Sequence, residues 1–122
     1  MQDLAEISTK RTFEAAHRLP RLPVEHKCHR LHGHNYTIEV VARGPLDPTL
    51  GWVCDYGMLD VAIDELVIKA CDHRFLNEIP GLENPTGEII ALWALARLKA
   101  TLLPVVEVSI WETPHYRATA RA

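Results

Sequence analysis

Long apolar runs are missing from this sequence of 122 residues. The longest apolar segment extends from Ile89 to Ala96, well short of the roughly 20 residues that a membrane-spanning helix requires. The beginning of the chain also lacks the basic and then apolar pattern of a secretion signal. We therefore expect a cytoplasmic protein that does not associate with membranes.

The sequence also lacks the paired cysteines of a disulfide framework. Its three cysteines, Cys28, Cys54 and Cys71, form no CxxC motif and are odd in number. This pattern predicts reduced thiols in a cytosolic setting. For Cys54 and Cys71, packing in the core is the default interpretation.

An excess of positive charge is absent as well, because the formal net charge is −3. Together with the placement of the few aromatic residues, this charge argues against nucleic-acid binding. Six of the 13 basic residues nevertheless fall within residues 10–30. Such a cluster could attract a polyanionic small molecule, although a solvated charged surface is an equal alternative. The six are Lys10, Arg11, Arg18, Arg21, Lys27 and Arg30.

The remaining composition predicts one globular domain over the whole chain. Apolar residues make up 48% and charged residues 24%, which are ordinary values. Alternating apolar positions predict strands over residues 6–16, 36–43 and 105–112, with His17 at the end of the first strand on its inward face. A further short strand is predicted near Trp52 or at the C-terminus.

Two helices are predicted, each beginning after a capping residue. Asp55 would cap the first and Thr86 the second. The predicted fold is therefore α+β, with both helices on one face of a four-stranded antiparallel sheet and another subunit against the opposite face. The predicted polar face of the first helix, opposite its apolar stripe, includes Asp60 and Asp64, and the predicted apolar stripe of the second consists of Ile89, Leu92, Trp93 and Ala96.

Three histidines predict a metal site. His32 and His34 are one residue apart at the start of a strand, so both imidazoles project from the same face. His17 ends the other strand on its inward side, and three histidines leave one position open on zinc, as in catalytic sites. A lone histidine is more often a packed or surface residue. His26 and His29 compete as ligands but lie in a loop without a fixed orientation, and we leave them out.

Cys28 is the predicted reactive thiol. Lys27, His29 and Arg30 surround it with positive charge, which lowers the pKa of a thiol and increases its thiolate fraction. The alternative is an inert, packed cysteine.

Two further acidic positions are candidates for the chemistry. Asp72 and His73 follow a helix end, where a carboxylate can fix the tautomer of an imidazole and raise its basicity, or where both simply terminate the helix at the surface. Glu112 ends an apolar strand face, so it must reach solvent or find a partner. It either anchors the N–H groups of a ligand or forms a salt bridge at the rim, and the sequence alone does not separate the two.

Five motifs occur in an order typical of one family: residues 13–17 (FEAAH), 28–34 (CHRLHGH), 72–77 (DHRFLN), 83–86 (ENPT) and 111–113 (WET). Across nearly its whole length the chain resembles the 6-pyruvoyl-tetrahydropterin synthase superfamily, in particular its bacterial branch of 6-carboxy-5,6,7,8-tetrahydropterin synthases. The resemblance implies a tunnelling fold (T-fold) in which three subunits join their sheets into a β-barrel and two trimers form a homohexamer. It also implies zinc held by His17, His32 and His34.

The resemblance implies a role for each further residue of the site. Cys28 would act as proton acceptor, assisted by Asp72 and His73, in an active site shared between neighbouring subunits. Glu112 would grip the pterin ring and take part in the catalytic relay, and Thr86 would lie near the pterin pocket.

The implied reaction converts 7,8-dihydroneopterin triphosphate and water into 6-carboxy-5,6,7,8-tetrahydropterin, acetaldehyde and triphosphate, for queuosine or other 7-deazapurine biosynthesis. The alternatives are a 6-pyruvoyl-tetrahydropterin synthase, which keeps the carbon side chain, and a non-catalytic subunit that binds pterin or zinc. Two positions depart from the family pattern. His29 could perturb Cys28 or carry a proton, and Cys71 beside Asp72 could be a second thiol near the site.

Overall fold

A five-stranded sheet is the framework of the protein, whose computed structural model describes residues 3–122. The first two residues of the predicted domain lie outside the described residues. The strands are β1 (Leu4–His17), β2 (His32–Pro45), β3 (Arg74–Phe75), β4 (Val105–Thr113) and β5 (Tyr116–Arg121), in the spatial order β3-β1-β2-β4-β5.

The four long strands are antiparallel neighbours, and the two-residue β3 runs parallel to β1 beside Ala15 and Ala16. The predicted four-stranded antiparallel sheet is therefore confirmed, and β3 is an addition at its edge. Strand β5 confirms the extra strand predicted at the C-terminus. The alternative near Trp52 is wrong, because that residue lies in a bend.

The pairing of β1 with β2 brings the predicted histidines together. His17 lies opposite His32, and Ala15 lies opposite His34, so all three histidines occupy the same end of these strands. Behind them, Phe13 stacks on Tyr36 with ring centroids 4.9 Å apart, and both rings are buried. The strict alternation of the two strands thus places the imidazoles directly above the hydrophobic core.

The helices pack on one face of this sheet. The first helical segment is α1 (Tyr56–Ile63), which continues through a π-helical turn (Asp64–Ile68) into α2 (Lys69–Cys71). Helix α3 (Gly87–Lys99) lies against β4 and β5. Both predicted caps are confirmed, since Asp55 Oδ1 accepts from Gly57 N at 2.8 Å and Thr86 Oγ1 accepts from Ile89 N at 3.1 Å.

One predicted helix face is wrong. Asp60 and Asp64 lie off the buried stripe of the first helix, as predicted, and they accept hydrogen bonds from Thr9 and Arg11 of β1 at 2.6–2.9 Å. The stripe predicted for α3 is displaced, since Leu92 is 58% exposed. Residues 89–96 of α3 are all apolar, so their pattern does not discriminate one face. The buried residues are Gly87, Ile90, Ala91, Ala94, Leu95 and Leu98.

The sheet face away from the helices is mostly polar, with the ring of Trp111 lying between Lys10 and Arg117. Ser109 and Thr119 share a hydrogen bond of 2.7 Å there, and Arg121 donates to Glu107 at 2.7 Å. Because these side chains tolerate water, the burial of apolar area does not by itself require a partner on this face. Among residues 3–122, no helix is both long and apolar enough to span a membrane.

Candidate active site

Three imidazoles converge at the end of β1 and β2. His17, His32 and His34 each offer a ring nitrogen, and these atoms lie within 4.8 Å of one another. The Nε2 atoms of His17 and His32 are 3.0 Å apart. In a tetrahedral zinc site, Zn–N distances of about 2.0–2.1 Å place ligand nitrogens about 3.3 Å apart. The spacing of these rings is therefore close to that of a metal site.

The hydrogen bonds of two rings determine their tautomers. His17 Nδ1 lies 2.8 Å from the carbonyl oxygen of Pro85, and His32 Nδ1 lies 2.7 Å from that of Arg30. A carbonyl oxygen only accepts, so each Nδ1 carries the proton and each Nε2 of a neutral ring carries a lone pair. Two lone pairs that face each other at 3.0 Å repel unless a cation lies between them. This donor set therefore fits a metal ion, with backbone carbonyls that orient the ligands.

Burial favours the neutral rings that a metal ligand requires. His17 is fully buried, and this burial lowers its pKa to about 4. Burial also lowers the pKa of His34, and the nearby carboxylate of Glu112 opposes that shift. His34 Nε2 is buried and has no hydrogen-bond partner among the described residues. A buried ring nitrogen without a partner beside two lone pairs fits a site that binds a cation.

Cys28 opens onto the same site. It lies in a 3₁₀ turn (Lys27–His29) of the loop between β1 and β2. A cavity of about 380 Å³ is lined by Cys28 together with His32, His34 and Glu112. The partly buried thiol thus faces a volume that it shares with two candidate ligands. The predicted proximity of Cys28 to the metal motif is a feature of this structure.

Glu112 joins the same cavity from β4. Its Oε2 is 3.8 Å from His34 Nε2, and its side chain is 27% exposed. At this distance and exposure the carboxylate keeps acceptor capacity for another group, so it is not consumed by a rim salt bridge. The first turn of α3 packs behind it, because a Cβ added at Gly87 would approach Glu112 Oε1 to 3.6 Å and Ala118 Cβ to 3.3 Å.

Asp72 and His73 lie elsewhere. They line a depression of about 480 Å³ that includes Glu14 and Asn35, and neither lines the Cys28 cavity. Asp72 Oδ1 is 3.0 Å from His73 Nδ1 and accepts from Glu14 N at 3.0 Å. That backbone bond and the His73 ring hold the pKa of Asp72 below its usual value. Within one chain, the two predicted proton carriers are therefore separated from the predicted thiol.

His73 has an unusual backbone conformation. Its φ of 59° is the one positive φ of a non-glycine residue within residues 3–122. Its N–H donates to Glu14 O at 2.6 Å, and its Nε2 lies 3.5 Å from Glu14 Oε2. Left-handed backbone at a non-glycine residue is sparse and concentrates at functional sites.

Thr86 and Cys71 are placed by helix ends. The Thr86 hydroxyl caps α3, directly after the Pro85 carbonyl that binds His17. The loop before α3 therefore connects the helix cap to the three histidines. Cys71 is fully buried at the end of α2, and burial raises the pKa of its thiol to about 12. This matches the packing interpretation and not a second reactive thiol.

The early basic residues do not act as one cluster. Lys27 lines the Cys28 cavity, together with Thr113 and Tyr116, which the sequence patterns did not single out. Three of the other cations have intramolecular partners: Arg11 binds Asp64 through bonds of 2.6 and 2.9 Å, Arg18 binds His29, and Lys10 lies over the ring of Trp111.

Known proteins share both the sequence and the fold. The family described as 6-pyruvoyl tetrahydropterin synthase matches residues 6–122. The 6-carboxy-5,6,7,8-tetrahydropterin synthase of Synechocystis is 43% identical over 107 residues, which cover 84% of this chain and 81% of that relative. The dihydroneopterin monophosphate aldolase of Pyrococcus furiosus is 37% identical over 111 residues, which cover 88% and 90%. The structure of Caenorhabditis elegans 6-pyruvoyl tetrahydropterin synthase superposes with a TM-score of 0.89 at 31% identity, covering 99% of this chain and 97% of the other.

The match extends over almost the whole chain, and it includes the strands and loops that carry the histidines, Cys28 and Glu112. The α+β arrangement of sheet and helices agrees with that of the solved relative. The resemblance drawn from the five motifs is therefore confirmed. The chain belongs to the 6-pyruvoyl tetrahydropterin synthase family.

Proposed function

We propose that the protein is a zinc-dependent 6-carboxy-5,6,7,8-tetrahydropterin synthase. Its substrates would be 7,8-dihydroneopterin triphosphate and water, and its products 6-carboxy-5,6,7,8-tetrahydropterin, acetaldehyde and triphosphate. The observation that carries the proposal is the single cavity onto which Cys28, His32, His34 and Glu112 open. The relative from Synechocystis bears the name of this activity.

His17, His32 and His34 would hold the zinc. Three histidines leave a coordination position open, and zinc in such a site acts as a Lewis acid toward oxygen groups of a substrate. The proposal keeps Cys28 outside the ligand set, since a fourth protein ligand would close the position that the substrate needs.

Cys28 would accept a proton from the substrate side chain. General base catalysis requires a group within hydrogen-bond reach of the proton, and the thiol lies on the wall of the cavity. Glu112 would accept hydrogen bonds from the N–H groups of the pterin ring. A carboxylate is an acceptor with two oxygens, which suits a pair of neighbouring ring donors.

Asp72 and His73 would serve the active site of a neighbouring subunit. Their hydrogen bond orients the imidazole for proton transfer, yet they do not line the Cys28 cavity of their own chain. We propose a homohexamer, a dimer of trimers, in which sheets join edge to edge and bring this pair to the cavity of the next chain. Within residues 3–122, β1 pairs with β3 only through Ala15 and Ala16, so most of that edge is open to another strand.

Lys27 is the cation best placed for the triphosphate. It lines the Cys28 cavity, whereas Arg11 is held by Asp64 and Arg18 by His29. Thr86 would contact the pterin through the outward side of its capping hydroxyl. The product would feed 7-deazapurine biosynthesis, for queuosine or a related compound.

The second candidate is a 6-pyruvoyl-tetrahydropterin synthase, which uses the same substrate and is the named activity of the solved relative. A non-catalytic subunit that binds pterin or zinc is the alternative of another class. Incubation of the zinc-loaded protein with dihydroneopterin triphosphate separates the three. Release of acetaldehyde together with 6-carboxy-tetrahydropterin supports the proposal. A pyruvoyl product without acetaldehyde favours the second candidate, and no turnover favours the third.

Cys28→Ala is the companion variant in this assay. We expect turnover to fall by about 10²–10⁴-fold with zinc content unchanged, because general base catalysis contributes a factor of this size. Unchanged turnover in this variant would contradict the role of the thiol.

A further inference from the structure

Hydrogen bonds behind the active site connect the residue that follows the candidate metal ligand His17 to the residue that follows Cys28. Arg18 follows His17, and His29 follows Cys28. Arg18 Nε donates to the backbone oxygen of His29 at 3.2 Å, and Arg18 Nη2 donates to His29 Nε2 at 3.0 Å. One guanidinium therefore binds both the backbone and the side chain of residue 29.

The other side of the His29 ring is also fixed. Its Nδ1 lies 2.9 Å from the carbonyl oxygen of Leu22, which can only accept. The ring is therefore the neutral Nδ1–H tautomer, with its free Nε2 lone pair directed at the Arg18 guanidinium. Both nitrogens of a partly buried ring are used within the chain, so His29 has no lone pair left for a metal or a substrate.

Arg18 is itself held from a third segment. Its N–H donates to Asn77 Oδ1 at 3.0 Å, and Asn77 Nδ2 donates to the Arg18 backbone oxygen at 2.8 Å. This paired contact fixes the backbone at residue 18, so the guanidinium extends from a rigid base. A long side chain loses less entropy on binding when its backbone is already ordered.

The segment that carries Cys28 is fastened at both of its backbone groups. Its carbonyl oxygen accepts from Leu19 N at 2.8 Å, and its N–H donates to His26 Nδ1 at 3.0 Å. A three-residue 3₁₀ turn is weak by itself, because its hydrogen-bond geometry is poor. The turn itself is closed only by bonds from His29 N to His26 O at 3.0 Å and from Arg30 N to Lys27 O at 3.2 Å, so the side chains of Arg18 and His29 add the contacts that tie it to neighbouring segments.

We propose that Arg18 and His29 are positioning residues that hold the Cys28 thiol at a fixed place above the three imidazoles. Neither side chain lines the Cys28 cavity, so each acts through the backbone of the turn. The inference rests on the proposed role of Cys28 as proton acceptor. It gives a function to His29, the histidine that departs from the family pattern.

His29→Phe and His29→Gln form the main test. Phe keeps a planar ring but removes both hydrogen bonds, whereas Gln can offer Oε1 to Arg18. For His29→Phe we expect kcat to fall about 10–100-fold with KM within about twofold, since a displacement near 1 Å costs up to about 10²-fold. His29→Gln recovers most of this loss. Zinc content stays that of the unmodified protein, because the three ligands are untouched.

Alkylation of Cys28 by iodoacetamide provides a readout that needs no turnover. Release of the turn makes the thiol more accessible, so Cys28 of His29→Phe reacts about fivefold faster or more. Peptide mass spectrometry measures the alkylation of Cys54 and Cys71 separately, and the alkylation rates of these two cysteines serve as internal controls. For Arg18→Met we expect the same fall in kcat and the same faster alkylation of Cys28 as for His29→Phe. The matched control is Arg43→Met, which removes an exposed arginine that lies near Glu6 at the far end of β2.

Normal kcat and normal Cys28 alkylation in His29→Phe would overturn the inference. Equal loss of zinc and of turnover in both His29 variants would overturn it too, because that result indicates general disruption of the site. If Cys28→Ala keeps full turnover, the proposed function fails instead. The alkylation rates then still decide whether Arg18 and His29 hold the turn.

Discussion

Two histidine–carboxylate pairs lie at the same end of the sheet, and they differ in how much water reaches them. His34 and Glu112 approach to 3.8 Å with side-chain exposures of 18% and 27%. His73 and Asp72 are closer, at 3.0 Å, but are 73% and 40% exposed. The shorter distance between His73 and Asp72 therefore does not by itself give the stronger electrostatic interaction, because solvent screens this exposed pair.

The difference assigns the two pairs to different tasks. Burial lowers the pKa of His34 and so favours the neutral ring that a metal ligand requires, in a cavity that it shares with Cys28. The pair of Asp72 and His73 is already oriented but lies open to solvent. It can act on a substrate held elsewhere only when another surface covers it, and a neighbouring subunit supplies such a surface in the proposed assembly.

The largest expected effect separates the two histidines. His34→Ala removes a zinc ligand, so we expect loss of bound zinc and turnover below detection. His73→Ala leaves zinc in place and lowers kcat about 10²–10⁴-fold, the range of a general acid or base. Metal analysis and the acetaldehyde assay on both variants provide the comparison. Full zinc in His34→Ala, or zinc loss in His73→Ala, would contradict the assignment.

The next effect tests whether the exposed pair works across subunits. Cys28→Ala and His73→Ala are each expected to be nearly inactive. When the two are unfolded together and refolded as mixed oligomers, we expect turnover on the order of a quarter of the unmodified level, since random assembly joins an intact Cys28 to an intact His73 at about one site in four. The control is each variant refolded alone. No recovery in the mixture would mean that both residues serve one chain.

A smaller effect is a difference in pH dependence between the two regions of the metal-free protein. The pKa of His17 is 6.5 unfolded and about 4 folded, so the unfolded state binds more protons between these values. Stability therefore falls as the pH drops from 6.5 to 4, by about 3 kcal/mol in total. The lowered pKa of Asp72 acts only at more acidic pH, because its stabilisation persists until the pH falls below its ordinary value of 3.8.

Denaturant unfolding at pH 7 and pH 4.5 measures this difference. His17→Gln should show a smaller loss between the two pH values than the unmodified protein, and Asp72→Asn should show the same loss. Equal stability of the metal-free protein at both pH values would refute the effect of burial on His17.

The smallest expected effect concerns the helix cap beside the buried region. Thr86→Ala removes the acceptor for Ile89 N and should lower the free energy of unfolding by about 1 kcal/mol. Thr86→Ser keeps the hydroxyl and should remain within a few tenths of the unmodified value. Thermal and denaturant unfolding of the two variants test this, and an unchanged Thr86→Ala protein would show that the cap contributes nothing.

The convergence of the three histidines could be predicted from sequence because it depends on strand parity and on the pairing of two consecutive strands. His32 and His34 share one face by their spacing, and His17 joins them through the antiparallel register of β1 and β2. The helix caps at Asp55 and Thr86 were also predicted from local sequence, and both are confirmed.

Other features depend on tertiary contacts that no local pattern contains. The bulge near Val41 shifts the pairing with β4, so Val105 is buried in place of Val106, which an unbroken alternation with Val108 and Ile110 would bury. The buried face of α3 was ambiguous because residues 89–96 are all apolar. The pair of Arg11 with Asp64 and the hydrogen bonds between Arg18 and His29 join residues from separate segments, so no local sequence pattern indicates them.

In the proposed active site, three imidazoles hold zinc while Cys28 remains free. X-ray absorption at the zinc edge of the loaded protein tests this most directly. We predict nitrogen and oxygen neighbours only, with Zn–N distances of about 2.0–2.1 Å, in the unmodified protein and in Cys28→Ala alike. A sulfur neighbour at about 2.3 Å that disappears in Cys28→Ala would show the thiol bound to the metal and would contradict the account.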